Sequence, residues 1–244
     1  MKWIRAALFF VVVGLTTAYY TLKSLVVYYL GILLNKENLS KAPHEVATQW
    51  ARSIMFLTPG WRIEVTGSEH LPPDGKAVVI VANHESATDI LAMYYLGIQF
   101  RWLAKKEVFE LPLIGKAMSL AGYVPIDRKD PDSHKEALAK SAEWLSKGIP
   151  MFFFPEGTRS DTGKVKKFKR GAFRLANEND VEVLPVCIKG AGRLLKKGTV
   201  FPCTAVVFVH ILPMMKQRKN ESTEEFAGRV QLEVEHCHNS QELS

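Results

Sequence analysis

The sequence predicts an α/β domain with a mixed, largely parallel sheet flanked by helices, preceded by an N-terminal helical membrane anchor. Two patterns carry this: from residue 61 onward, short apolar runs of strand length alternate with helix-length segments, and residues 6–34 hold a single charge, Lys23. A chain of 244 residues, 47% hydrophobic and 23% charged, has material for one sizeable core and does not read as disordered. The implied division puts the anchor in residues 1–42 and the α/β domain in residues 43–244.

The anchor is the run AALFFVVVGLTTAYYTLKSLVVYYLGILL. A helix over residues 6–22 would be about 25 Å long, slightly short for a hydrocarbon core, and the whole run would overshoot it. Apolarity resumes after Lys23, unlike a signal peptide with its small-residue cleavage site. Lys2 and Arg5 precede the run and Lys36 and Lys41 follow it, so charge gives no direction of insertion. The expectation is a monotopic anchor, one helix or a bent pair, dipping into the cytoplasmic leaflet with the domain facing the cytoplasm. A buried core helix is the competing reading.

Next, Val46, Trp50, Ile54 and Leu57 recur at threes and fours, predicting a helix over residues 44–57. Strands follow at 61–67 and 76–82, a helix at 86–97, a strand at 100–105, a short helix at 112–120 and a strand at 123–128. A helix at 131–148 and a strand at 150–157 lead to a basic loop and helix within 167–180. Strands at 182–190 and 204–212 and a helix at 222–236 complete the pattern, with no repeat and no low-complexity linker.

Net charge of +7 and a pI near 9.2 imply an anionic partner: phosphate, nucleic acid or an anionic membrane. Nucleic acid is set aside, because neither an RNA-type aromatic motif nor a helix-turn-helix pattern accompanies the charge. Cys187, Cys203 and Cys237 form no CxxC pair, and no HExxH helix is present, so no disulfide framework and no metal site are expected.

Chemistry begins at VANHESATDI, residues 81–90. His84 stands at the carboxyl end of a predicted strand, the edge where open α/β sheets carry their sites. Ser86 and Thr88 are N-cap candidates, which places His84 in the entry turn and Asp89 in the first helical turns. Five residues along a regular helix would separate the two side chains by about 140°, so only a break at the turn lets them converge. A carboxylate bonded to one imidazole nitrogen leaves the other free to take a proton, which describes a general-base dyad. With no GxSxG elbow to supply a serine, the activated hydroxyl belongs to a substrate.

A second stretch, FFFPEGTRSDTGKVKKFKRG at residues 152–171, delivers Glu156, Gly157, Thr158 and Arg159 to the same edge. Arginine's planar fork suits phosphate, glycine admits a ligand to the backbone, and a carboxylate accepts from a hydroxyl. Arg159, Lys164, Lys166, Lys167, Lys169, Arg170 and Arg174 stand against one acid, Asp161, so the loop reads as anion-binding.

The segments NHESATD, GYVPIDR, FPEGTRS and LPVCIKG resemble, in order, the four motif blocks of the glycerolipid acyltransferases, and most closely the bacterial-type 1-acyl-sn-glycerol-3-phosphate acyltransferases. The resemblance runs over residues 83–190, nearly half the chain. It implies acyl transfer from an acyl-CoA or acyl-carrier-protein thioester, as substrate rather than cofactor, to the free hydroxyl of lysophosphatidic acid at a membrane, giving phosphatidic acid. By position, His84 resembles the family's base and Asp89 its orienting partner. Arg128, with Gly122 and Ile126 in the second block, is similar to an acceptor-phosphate ligand, as are Lys105 before that block and Glu156, Gly157, Thr158 and Arg159 in the third. Pro185 and Gly190 match the fourth block as shaping residues. Tyr123-Val124-Pro125 departs from the family, which often has a phenylalanine nearby. Glycerol 3-phosphate or another lysophospholipid as acceptor, and a catalytically silent lipid-binding protein, are the alternative readings.

Overall fold

A computed structural model describes residues 2–160, 162–194 and 203–240. Among these, strands β1 (Trp61–Thr66), β2 (Val78–Ala82), β3 (Arg101–Lys105), β4 (Val124–Ile126), β5 (Met151–Phe153), β6 (Glu182–Lys189) and β7 (Ala205–Ile211) form one sheet. Its order is β1-β7-β6-β2-β5-β3-β4. Every pairing is parallel except β6 with β7, so β1 and β7 run against the other five. The helices are α1 (Lys2–Leu33), α2 (Lys41–Leu57), α3 (Asp89–Met93), α4 (Lys106–Phe109), α5 (Ile114–Leu120), α6 (Pro131–Ser146), α7 (Gly171–Glu178), α8 (Ala191–Leu194) and α9 (Thr223–Asn239).

Central β2 is apolar at every position because both of its faces are covered, as in parallel sheets generally. Val78, Ile80 and Ala82 point into a core with Ile54 of α2, Met93 of α3 and Met118 of α5. Val79 and Val81 point the other way, against Ala137 of α6, Phe173 of α7 and Val230 of α9. Each buried Val, Ile, Met or Phe among them contributes about 1.5–3 kcal/mol, so the middle of the sheet is held firmly from both faces.

Helix α2 is pinned to the sheet by polar contacts as well as by its apolar face. Buried His44 donates from Nε2 to the Ile98 carbonyl (3.2 Å) and takes the Tyr123 hydroxyl at Nδ1 (3.0 Å), and that hydroxyl lies 2.7 Å from the Tyr94 hydroxyl. Burial, with the Arg101 charge adding to it, pushes the His44 imidazole down to about 3. Arg101, itself fully buried, donates to the Ser40 hydroxyl at the start of α2 and to the Phe100 carbonyl, both at 2.8 Å, and its guanidinium lies over the Trp144 ring of α6.

The apolar N-terminal run forms one unbroken helix, α1, about 48 Å long by its residue count, rather than a short helix or a bent pair. It folds back on α2 and also meets α5. Its polar residues face inward: Thr17 accepts from the Trp50 indole (3.1 Å), Tyr20 bonds Ser53 (2.6 Å), and Lys23 donates to Gln49 (2.6 Å). Thr21 and Ser24 are buried on the same stripe, while Leu8, Val11, Leu15, Leu22, Val26 and Leu33 stand outside. Residues Ala6–Leu33 are long and apolar enough to cross a membrane, and only 11% of that window is buried. A core helix of a water-soluble protein is built the opposite way.

Several local features differ from the sequence expectation. The helix expected at 86–97 begins only at Asp89 and tightens into a 3₁₀ turn over Tyr94–Leu96, ended by Gly97 at φ 73°. The strand expected at 150–157 stops at Phe153, because the polar turn begins at once. α4 and α8, four residues each, carry too little periodicity to be read from sequence. The side chains of Lys2 and Arg5, the whole of Asp161 and the tail at 241–244 lie outside the described residues.

Candidate active site

Five adjacent strands, β6, β2, β5, β3 and β4, run in the same direction, so their carboxyl ends lie along one edge. That edge gathers Gly190 after β6, His84 after β2, Glu156 after β5, Lys105 at the end of β3 and Arg128 after β4. The motif blocks are scattered in sequence because consecutive strands along the edge are not consecutive in the chain.

His84 is two residues beyond β2 and its ring is largely shielded, with 16% of the side chain exposed. Nδ1 lies 2.7 Å from Oδ2 of Asp89. Asp89 opens the short α3, and the same oxygen accepts from the backbone amides of Glu85 (2.7 Å) and Ser86 (2.9 Å). The irregular residues 83–88 therefore wrap around the carboxylate, as an unbroken helix could not. Asp89 has no exposed surface and its Oδ1 has no hydrogen-bond partner among the described residues. Burial raises its pKa, while the His84 hydrogen bond and charge pull the other way.

Phe154 fixes the imidazole plane by stacking on it, with centroids 3.9 Å apart and planes 14° apart. With Nδ1 committed to Asp89, Nε2 is the nitrogen left for a ligand. The His84 backbone amide donates to Oε1 of Glu156 (2.8 Å), and its carbonyl accepts from the Ser160 amide (2.7 Å). The HxxxxD turn and the EGTR turn are thus one hydrogen-bonded unit. Glu156 is 4% exposed and its Oε2 has no hydrogen-bond partner among the described residues. Burial pushes its carboxyl up to about 7, against the pull of the His84 amide.

The remaining sequence-predicted residues divide into two groups. Arg128 donates to the Gly157 carbonyl, and Gly157 takes φ 76° to close the turn. Thr158 and Arg159 are exposed beyond it: the Lys166 ammonium reaches the Thr158 hydroxyl (3.4 Å) and the Arg159 carbonyl (2.6 Å). Lys105, also exposed, ends β3 opposite Ile126 in register.

Other supports were not legible in the sequence. Asn83 clamps β6 with its side-chain amide, donating to the Ile188 carbonyl and accepting from the Ile188 N–H, both at 2.7 Å. Glu85 accepts from the Gly190 (3.2 Å) and Gly192 (3.1 Å) amides and meets His238 Nε2 at 2.6 Å, which raises the His238 pKa. His238 is 153 positions from Glu85, and nothing local marked it. Among the described residues no group of three or more His, Cys, Asp or Glu converges as a metal site would require.

On the other side of Asp89, Ile90 and Trp102 line an apolar cavity of about 190 Å³, closed by Tyr20, Trp50 and Met118 from α1, α2 and α5. The apolar space under the N-terminal helix thus reaches Ile90, the residue next to Asp89.

The family model described as Acyltransferase matches residues 62–189. The 1-acyl-sn-glycerol-3-phosphate acyltransferase LPAT1, chloroplastic, of Arabidopsis thaliana is 36% identical over 192 residues, 79% of this chain and 53% of that protein. The 1-acyl-sn-glycerol-3-phosphate acyltransferase of Borreliella burgdorferi is 28% identical over 163 residues, covering 66% of this chain and 65% of its own. The chain spans about half the length of the plant and algal curated relatives it matches. Among solved structures, the 1-acyl-sn-glycerophosphate (LPA) acyltransferase PlsC from Thermotoga maritima superposes with a TM-score of 0.77 at 28% identity, over 97% of this chain and 96% of that one. This chain belongs to the acyltransferase family.

Proposed function

We propose that the protein transfers a fatty acyl group from an acyl-CoA or acyl-carrier-protein thioester to the sn-2 hydroxyl of 1-acyl-sn-glycerol 3-phosphate, forming phosphatidic acid. The observation that carries the reading is the His84–Asp89 contact at 2.7 Å, bonded through the His84 backbone to the carboxylate of the EGTR turn. The relatives named for this reaction supply the substrate class.

A glycerol hydroxyl is a weak nucleophile at neutral pH. Nε2 of His84 takes its proton as the oxygen attacks the thioester carbonyl, and Asp89 stabilises the imidazolium that forms. The tetrahedral intermediate collapses by expelling the thiolate of the donor, which takes up the proton, so no acyl-enzyme arises. The chain's own side chains suffice for this proton transfer, and the reading assigns no cofactor. Glu156, with Oε2 unpartnered among the described residues, accepts from the acceptor, while Arg128 and Arg159, with Lys105 and Thr158 nearby, hold its phosphate beside Gly157.

Both acyl chains belong to the bilayer. The outward apolar face of α1, the inward polar stripe and the cavity under it support a protein seated in one leaflet, with the sheet's catalytic edge at the lipid–water boundary. On this reading residues 1–42 serve as the anchor and residues 43–244 as the catalytic domain on the cytoplasmic face.

The test is a detergent-purified full-length protein incubated with labelled acyl-CoA and, in parallel, lysophosphatidic acid, glycerol 3-phosphate and a lysophospholipid bearing a head group. Phosphatidic acid from the first alone is the expected result. Product from another acceptor alone would reassign the substrate, and no product with either acyl-CoA or acyl-carrier-protein donors would overturn the activity.

A further inference from the structure

On the α6–α7 side of the catalytic edge, a cleft of about 220 Å³ is separated from His84 by the Phe154 ring. Its floor is apolar, from Leu103, Ile126 and Phe153, and its inner wall is Phe154, the ring on which His84 stacks. Its rim carries Arg128 and Lys169.

Lys169 was one charge among many in the sequence, but its placement is specific. A Cβ added at Gly157 would lie 2.7 Å from the Lys169 Nζ, so the absence of a side chain at Gly157 is what lets the ammonium reach the turn. The Lys169 backbone is fixed there by its amide, which donates to the Pro155 carbonyl (2.9 Å). From the opposite side, the Arg128 guanidinium bonds the Gly157 carbonyl. Two cations from separate elements thus converge on one residue of the turn that also binds the His84 amide.

Among the described residues the charge of Lys169 is uncompensated. Many cations elsewhere on the surface have an acidic partner: Lys76 with Glu182, Lys140 with Glu143, Arg170 with Glu224, Lys216 with Asp180. The Lys169 ammonium has neither an ion pair nor a hydrogen-bond acceptor among the described residues. An unpaired ammonium beside an arginine fork, over an exposed backbone turn at the mouth of a cleft, is what a doubly charged, tetrahedral anion needs.

We propose that Lys169 is a phosphate-binding residue, which with Arg128 holds a phosphate monoester over Gly157 at the mouth of this cleft. The inference rests on the acyl-transfer reading for the identity of the ligand, not for the site. Two substrates carry such a group: the acceptor at its glycerol phosphate and coenzyme A at its 3′-phosphate. The acceptor is the source that the cleft's closeness to His84 favours.

The experiment compares full-length wild type with Lys169→Met, which keeps the stem and removes the charge, Lys169→Arg, which restores it, and Lys140→Met as a distant charge control. Each is assayed with lysophosphatidic acid varied at saturating acyl-CoA and with acyl-CoA varied at saturating acceptor. Each is also titrated with glycerol 3-phosphate alone by calorimetry. The expected result is an acceptor KM about tenfold higher or more in Lys169→Met, with a smaller change in kcat, recovery in Lys169→Arg and no change in Lys140→Met. A rise in the acyl-CoA KM alone would support the phosphate site and assign it to the coenzyme. Both KM values within twofold of wild type, with unaltered glycerol 3-phosphate binding, would overturn the proposal. A wild type that transfers no acyl group yet binds glycerol 3-phosphate in a Lys169-dependent way would support the site while refuting the acyl-transfer reading.

Discussion

His84 and Asp89 meet because the chain between them is not a helix: the amides of Glu85 and Ser86 turn inward onto the Oδ2 atom that holds Nδ1 of His84. The carboxylate both builds the turn and carries the charge that answers a proton on the ring. Asn at this position can keep the amide contacts but loses that charge. Asp89→Asn is therefore expected to lower kcat by roughly 10²–10⁴ with little change in KM, measured on protein whose circular dichroism matches wild type. A kcat within threefold of wild type would remove Asp89 from the mechanism.

Gly157 stands at φ 76° with the Lys169 ammonium 2.7 Å from where a Cβ would stand. Alanine there meets both a left-handed backbone penalty and a crowded neighbour, at a cost of about 1–2 kcal/mol. Since the turn also bonds His84 through Glu156 and Ser160, Gly157→Ala should lower kcat as well as the unfolding midpoint. Stability lost with kcat intact would mean that the turn does not position the dyad.

Glu156 titrates near 7 when folded, well above an ordinary carboxyl, because it is buried. The folded state then holds this proton more tightly than the unfolded chain does. Its contribution is complete below about pH 4.5 and is lost as pH rises toward 7, an effect on the order of 1–3 kcal/mol. Glu156→Gln keeps an acceptor for the His84 amide and should flatten this decline when unfolding midpoints are compared from pH 4.5 to 8. Parallel profiles for the two proteins would contradict the assignment.

His44 acts in the opposite sense. Its folded pKa of about 3 is depressed by burial, so the native state refuses a proton that the unfolded chain accepts below about 6.5. Stability is therefore complete above pH 6.5 and falls as pH drops toward 3, by an amount on the order of a few kcal/mol. His44→Gln, which offers an acceptor and a donor to Tyr123 and Ile98, should lose less stability than wild type between pH 6.5 and 5, where few carboxyls titrate. An equal loss in both would show that His44 does not set the acid limit.

Legibility in the sequence followed the range of the interactions. β2 and β6 could be read because strands covered on both faces are apolar throughout. The reciprocal Ser222–Glu225 cap that starts α9 is a local signal that the sequence reading did not use. The convergence of His84 with Asp89 was legible because it needs only a turn of five residues. Phe154 was visible as an apolar residue, but not as the ring under the imidazole. Asn83 with Ile188 and Glu85 with His238 were invisible, since each joins segments more than a hundred residues apart through tertiary folding alone. Whether residues 6–34 form one helix or a bent pair was open in the sequence, because the contacts that align α1 with α2, such as Lys23 with Gln49, are tertiary.

In the proposed function Nε2 of His84 is the base for direct transfer to the acceptor hydroxyl. The most direct measurement is the turnover of detergent-purified His84→Ala on acyl-CoA and lysophosphatidic acid, beside wild type, with both proteins shown to be folded and to bind glycerol 3-phosphate equally. Phosphatidic acid from wild type and a loss of about 10³-fold or more in the variant are the expected results. Turnover by the folded variant within tenfold of wild type would rule out His84 as the base.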